Sequence, residues 1–231
     1  MNELIGRVIS FKEQIFPNQS ALYARLADKG QSPKALIVSC ADSRVVPEHL
    51  LQAEPGDLFV CRNAGNIVPP YSNMTGGVSA TVEYAVMVLG VSDIIVCGHS
   101  DCGAMKALMN PEMVEKMPNV AAWLRHGAAA RAVVDTCYPE LHDGEAVRVA
   151  SMENVVAQIA NLRTHPSVSG AIGQGKLSLH GWFFDIQNGV TLGLDGVSGR
   201  FVAINEDSPL PIALEAGARR AADYTPMEAA A

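Results

Sequence analysis

The sequence predicts an α/β fold: a mostly parallel central sheet with one antiparallel edge strand, flanked by helices and preceded by a helical N-terminal arm. Three observations lead there. Short apolar runs at residues 35–39, 57–61 and 93–97 each give way to a polar or glycine-containing cluster, the pattern of buried parallel strands. Stretches with apolar residues at helical spacing separate and follow them. Residues 177–185 alternate, and Asn188-Gly189 precedes a return run at 190–194, which reads as a type I′ hairpin and supplies the antiparallel edge.

Taken in order, residues 2–29 form the arm, with Leu4, Ile5, Val8, Ile9 and Phe11 in a first helix and Leu22, Tyr23 and Leu26 in a second, separated by Pro17. Such an amphipathic arm packs on its own sheet or reaches across to a second subunit. Pro47 opens one or two helical turns after the first strand. The second strand ends in Arg62-Asn63-Ala64-Gly65-Asn66. A loop, Pro69-Pro70-Tyr71-Ser72-Asn73, then leads to a helix over 78–89 that Gly90 closes. That helix is apolar on most sides, which suits a place between the sheet and another layer. Further helices are predicted at 104–109, 119–136 and 145–163, the last stopped by Pro166. Residues 207–231 are rich in Pro, Ala and Glu without periodicity and read as a tail or packing arm. No internal repeat and no linker divides the chain, so residues 1–231 are expected to form a single domain, with 1–33 as the arm.

Composition narrows the partners. Lys and Arg number 17 against 24 Asp and Glu, a formal charge of −7, and no basic run exceeds Arg219-Arg220, which argues against nucleic acid. No apolar stretch approaches a membrane span, and the N-terminus lacks the pattern of an export signal, so a soluble cytoplasmic protein is expected. Five cysteines then read as thiols rather than a disulfide framework.

Chemistry concentrates in two clusters. Cys40-Ala41-Asp42-Ser43-Arg44 follows the first strand and His99-Ser100-Asp101-Cys102 follows the third. Carboxyl ends of neighbouring parallel strands converge on the crevice where strand order reverses, so the two clusters can offer two thiolates and an imidazole to one ion. Three ligands with one open position suit zinc that holds water, whereas a closed set of four would suit a structural zinc.

Together these clusters resemble the β-class carbonic anhydrases. The likeness spans roughly residues 20–204 and includes Arg62 to Asn66, Glu83-Tyr84-Ala85, Trp123-Leu124-Arg125 and the hairpin at 177–195. The resemblance implies one zinc per subunit on Cys40, His99 and Cys102, with Asp42 and Arg44 as a carboxylate–guanidinium dyad beside it. It implies reversible hydration of carbon dioxide to bicarbonate and a proton through zinc-bound hydroxide. It also implies oligomers built from dimers, with the active site at the subunit interface.

Two thiolates cancel the formal charge of the ion and weaken it as a Lewis acid. Asp42, held ionised by the Arg44 fork, offsets that loss by accepting a hydrogen bond from the hydroxide and aiming its lone pair. Carbon dioxide is apolar, so its pocket should be lined by apolar atoms, with Val68, Tyr84 and Gly103 as the candidates. Asn73 supplies a carboxamide in the loop after the proline pair. A bicarbonate-inhibited subgroup carries Trp three residues before the first zinc cysteine. Ile37 stands there, so that regulatory site is expected to be absent although Arg62 is kept.

Hydrolysis of carbonyl sulfide or carbon disulfide by the same hydroxide, and a non-catalytic scaffold with structural zinc, compete with the hydratase reading. The intact Asp42 and Arg44 favour the enzyme. Cys61, Cys97 and Cys137 read as small core residues, His126, His142, His165 and His180 as structural or surface histidines, and Asp101 as a cap for the turn that follows it.

Overall fold

The arm consists of α1 (Asn2–Ser10), one wide π-type turn (Phe11–Ile15) and α2 (Phe16–Lys29). The computed structural model describes residues 1–72 and 76–204, so Asn73 and the predicted tail at 207–231 lie outside it. Contrary to expectation, Pro17 does not separate two helices. It sits in the first turn of α2, and the wide turn before it, where Phe16 N–H reaches back to Phe11 O, absorbs the hydrogen bond that the proline nitrogen cannot donate. No residue of the arm is buried.

Next come β1 (Ala35–Cys40), α3 (Pro47–Leu50), β2 (Leu58–Asn63) and α4 (Gly77–Tyr84), which runs into a second wide turn (Ala85–Leu89) ended by Gly90 at φ 64°. β3 (Asp93–His99) and α5 (Gly103–Met109) follow. The helix expected at 119–136 is instead two, α6 (Pro118–Leu124) and α7 (Ala128–Cys137), parted by a 3₁₀ turn at Arg125–Gly127. After α8 (Asp143–Leu162), Pro166 stops nothing further; it opens α9 (Pro166–Gly173), where its missing N–H costs no bond. The chain closes with β4 (Ser178–Asp185), β5 (Val190–Leu194) and β6 (Phe201–Ala203).

All six strands form one sheet in the order β2-β1-β3-β4-β5-β6. β1 is parallel to β2 and β3, β3 is parallel to β4, and β5 and β6 are antiparallel. β5 is the expected antiparallel strand, and a further short strand, β6, pairs antiparallel with it and takes the edge. β6 has three residues, too few to carry a period of two.

The hairpin also differs in detail. Four residues, not two, join β4 to β5, and of Asn188-Gly189 only Gly189 takes positive φ (66°). The Asp185 carboxylate shapes this loop by accepting from the Gln187 and Asn188 amides at 3.1 and 3.3 Å, and it pairs with Arg148 at 2.8 Å.

The main core lies between the sheet and α8. Leu36 and Val38 of β1 and Ile94 and Val96 of β3 pack with Val155, Ile159 and Leu162, all buried. Two glycines admit the helix to the sheet: a Cβ on Gly98 would lie 2.8 Å from Val155 Cγ2 and 3.1 Å from Ser151 O, and one on Gly181 would lie 2.9 Å from both Val155 and Ile159. Polar side chains on the same helix, Asn154 and Gln158, are fully buried and reach the loop after β2.

Candidate metal centre

Cys40 and His99 are the last residues of β1 and β3, adjacent parallel strands. Since β2 lies on the far side of β1, the order reverses at this pair, and the crevice at their carboxyl ends is the switch point the sequence pattern anticipates. Cys102 closes the set from the start of α5. Asp101, at φ 56°, turns the chain so that Cys102 comes back toward His99. The sulfurs stand 4.0 Å apart, and the ligand atoms of Cys40, His99 and Cys102 all lie within 4.8 Å of one another.

The donors fit a metal. Two sulfurs on a tetrahedral zinc with bonds of about 2.3 Å would stand about 3.8 Å apart. His99 Nδ1 lies 2.8 Å from the Ser100 carbonyl, which can only accept, so Nδ1 carries the proton and Nε2 the lone pair. That Nε2 is buried and has no hydrogen-bond partner among the described residues. Cys40 is pushed down to about 4 by the hydrogen bond from Cys102; burial opposes this, and the His99 ring and the amides of Gly65 and Asp42 assist. Cys102 is pushed up by Cys40 and by burial, so the shared proton rests on it.

Beside the sulfurs, Arg44 grips Asp42 with both prongs, Nε to Oδ1 at 3.0 Å and Nη2 to Oδ2 at 2.8 Å. This hydrogen bonding holds the Asp42 carboxyl well below the usual carboxylate range. Asp101 does not cap the turn that follows it: its carboxylate takes Arg44 Nη1 at 2.8 Å and pairs with Lys106. One guanidinium thus joins both ligand clusters. Arg62 stabilises the first cluster from below, donating to the carbonyls of Cys40 (3.1 Å), Asp42 (2.7 Å) and Val45 (2.6 Å).

The three pocket candidates part company. Gly103 adjoins Cys102 and has open space where a Cβ would point. Val68 is sealed in the main core with Leu36 and Val38, and Tyr84 stands exposed on α4 against Phe59. Ile67, one position before the candidate, is among the buried residues clustered with Cys40 and Cys102. Cys97 is buried and its thiol pushed up to about 12, as a core residue should be, but Cys61 is only half-buried and Cys137 is exposed. His165 and His180 are structural, bonded to Pro69 O and Asp93 Oδ1.

The model of a family described as carbonic anhydrase matches residues 35–191, a span that runs from β1 into β5 and includes every donor above. The chain belongs to the β-carbonic anhydrase family. A carbonic anhydrase of Pseudomonas aeruginosa is 53% identical over 208 residues, covering 89% of this chain and 93% of that protein. Among solved structures, the β-carbonic anhydrase CcaA superposes with a TM-score of 0.87 at 44% identity, covering 90% of this chain and 93% of its own. A tetrameric β-carbonic anhydrase from Sordaria macrospora does so at 0.75 and 30%, covering 84% and 95%. Hydration of carbon dioxide is the general reaction of β-carbonic anhydrases, and a Cys–His–Cys group with an ionised carboxylate beside it agrees with membership.

Proposed function

We propose that this chain interconverts carbon dioxide and bicarbonate with one zinc ion per subunit, held by Cys40, His99 and Cys102. The observation that carries this reading is the Asp42–Arg44 fork beside the buried sulfur–nitrogen group. A structural metal has no use for an oriented carboxylate at its open side. Zinc held there would lower the pKa of a bound water toward about 7 and supply hydroxide near neutral pH.

The Asp42 carboxylate would accept a hydrogen bond from a hydroxide held there and so turn its lone pair toward the substrate carbon. Arg44, fixed in turn by Asp101, keeps that carboxylate charged and aimed. Ile67 and Met105, buried in the cluster that includes Cys40 and Cys102, keep that side of the site apolar.

Stopped-flow hydration with zinc quantified, wild type beside Asp42→Ala, tests the reading. The expected result is one zinc per chain in both and a rate lower by about 10²-fold or more in the variant. Because Asp42 is already ionised at neutral pH, the wild-type rate should rise with pH from about 6.5 to 9 without an acid limb from this carboxyl. Zinc-replete wild type that hydrates carbon dioxide no faster than buffer would overturn the assignment.

The same proposal includes self-association and a cytoplasmic setting. Leu4, Ile5, Val8 and Ile9 are each at least 50% exposed on an arm that buries none of its residues, a stripe suited to a second copy of the chain. All five cysteines are free thiols, as a reducing compartment keeps them. Light scattering should return an even number of subunits for the full chain and a smaller assembly once residues 1–29 are deleted. A full-length monomer at micromolar concentration would refute the dimer.

A further inference from the structure

Resting on the metal site proposed above, a further role falls to residues that touch none of its ligand atoms. The loop after β2 presents one peptide unit to the site, and Gly65 N–H donates to Cys40 Sγ at 3.4 Å. At the other end of the same peptide, Ala64 O accepts from the Trp123 indole Nε1–H at 2.8 Å. The N–H and C=O of a trans peptide point in opposite directions, so an indole fixed on one end sets the direction of the N–H at the other. It also polarises the unit, which strengthens donation to sulfur.

The next carbonyl is held as firmly. Gly65 O accepts from Asn154 Nδ2 at 2.9 Å, Asn154 Oδ1 accepts from Gln158 Nε2 at 2.8 Å, and Gln158 Oε1 accepts from Val68 N–H at 2.9 Å. Asn154 and Gln158 are fully buried. The peptide also lies hard against α5: Gly65 has φ +81°, and a Cβ there would meet Ala104 Cβ at 3.0 Å and Met105 Cε at 3.1 Å. Asn63 closes the loop on itself, exchanging hydrogen bonds with the N–H and C=O of Ile67 at 2.8 and 2.9 Å. Satisfying loop carbonyls would require no particular direction of the Gly65 N–H. These contacts leave it only one.

We infer that Trp123, with Asn154 behind it, is a positioning residue for the metal site. It keeps the Ala64–Gly65 peptide turned so that its N–H stays on the Cys40 thiolate and draws charge off that sulfur. A site with two thiolates needs such a withdrawal, because undiluted sulfur donation lowers the acidity of the ion.

Trp123→Phe keeps an aromatic ring on the side of His126 and removes the indole N–H together with part of the ring. The protein is loaded with cobalt(II), and the sulfur-to-cobalt charge-transfer band is read beside zinc affinity from chelator competition. In Trp123→Phe the band should move to longer wavelength and zinc should bind about tenfold more weakly. Asn154→Leu should move the band the same way. Asn161→Leu serves as the contrast, since Asn161 holds Val68 O, three residues further along the loop, and Gln158 Oε1, but no atom of the Ala64–Gly65 peptide. It should lower thermal stability and leave the band in place.

A folded Trp123→Phe with an unmoved band and unchanged affinity overturns the inference, as does an equal shift in Asn161→Leu. Wild-type protein loaded with cadmium-113 gives a test that needs no variant: the Gly65 amide proton should show scalar coupling to the metal through sulfur, and its absence also overturns the inference. Wild type that takes up no cobalt, and so has no band to move, would instead defeat the metal-site reading on which this one stands.

Discussion

Cys102→Ala is expected to cost zinc affinity on the order of 10³-fold or more and to bring carbon dioxide hydration down to the buffer rate. The residue is one of the three donors proposed above, and its sulfur is faced by the amides of Met105 and Ala104 at the start of α5, which favour the thiolate. The groups around it are otherwise engaged, Asp42 with Arg44. Asp101, next in the chain, is committed to Arg44 and Lys106, and Cys97 is buried in the sheet. The fold should survive, because the main core around Leu36, Ile94 and Ile159 is a separate cluster from the one that contains Cys102. Metal content after gel filtration, read with far-ultraviolet circular dichroism, checks this. Full zinc content in the variant would remove Cys102 from the ligand set.

Gly98→Ala should lower both stability and metal affinity. The new Cβ would stand 2.8 Å from Val155 Cγ2 and 3.1 Å from the Ser151 carbonyl, and a helix backbone cannot swing aside as a side-chain tip can. Overpacking of this kind costs about 1–3 kcal/mol, or roughly 2–4 °C of melting temperature per kcal/mol at this chain length. Gly98 precedes His99, so relief by shifting β3 would also pull the imidazole from the two sulfurs, and zinc affinity should fall with stability. Thermal melts of the metal-free and zinc-loaded protein separate the two effects. A variant as stable as wild type in both would mean that α8 can withdraw from the sheet without loss.

The parts of this molecule that were legible in the sequence are those whose signal is local. Each ligand cluster directly follows an apolar run, so Cys40, Asp42, Arg44, His99 and Cys102 could be placed from neighbours in the chain, as could five of the strands. What escaped depends on contacts between distant segments. Trp123 and Asn154 meet the Gly65 loop from helices 59 and 89 positions away, and neither leaves a periodic trace. Ile67 and Val68 are both apolar and both buried, and only the twist of the loop decides which one lies beside the sulfurs. The arm runs on past Pro17 because a wide turn absorbs the lost bond, a device that residue propensities do not encode.

Cys40 and His99 sit at the ends of adjacent strands, and side chains alternate faces along a strand. Slipping β1 against β3 by one residue from the Ser39–Cys97 register would turn the Cys40 sulfur to the other face of β1, and a metal ion would then meet only two of the three candidate donors. A metal ion that binds only where the three donors converge would therefore favour the correctly aligned sheet by mass action.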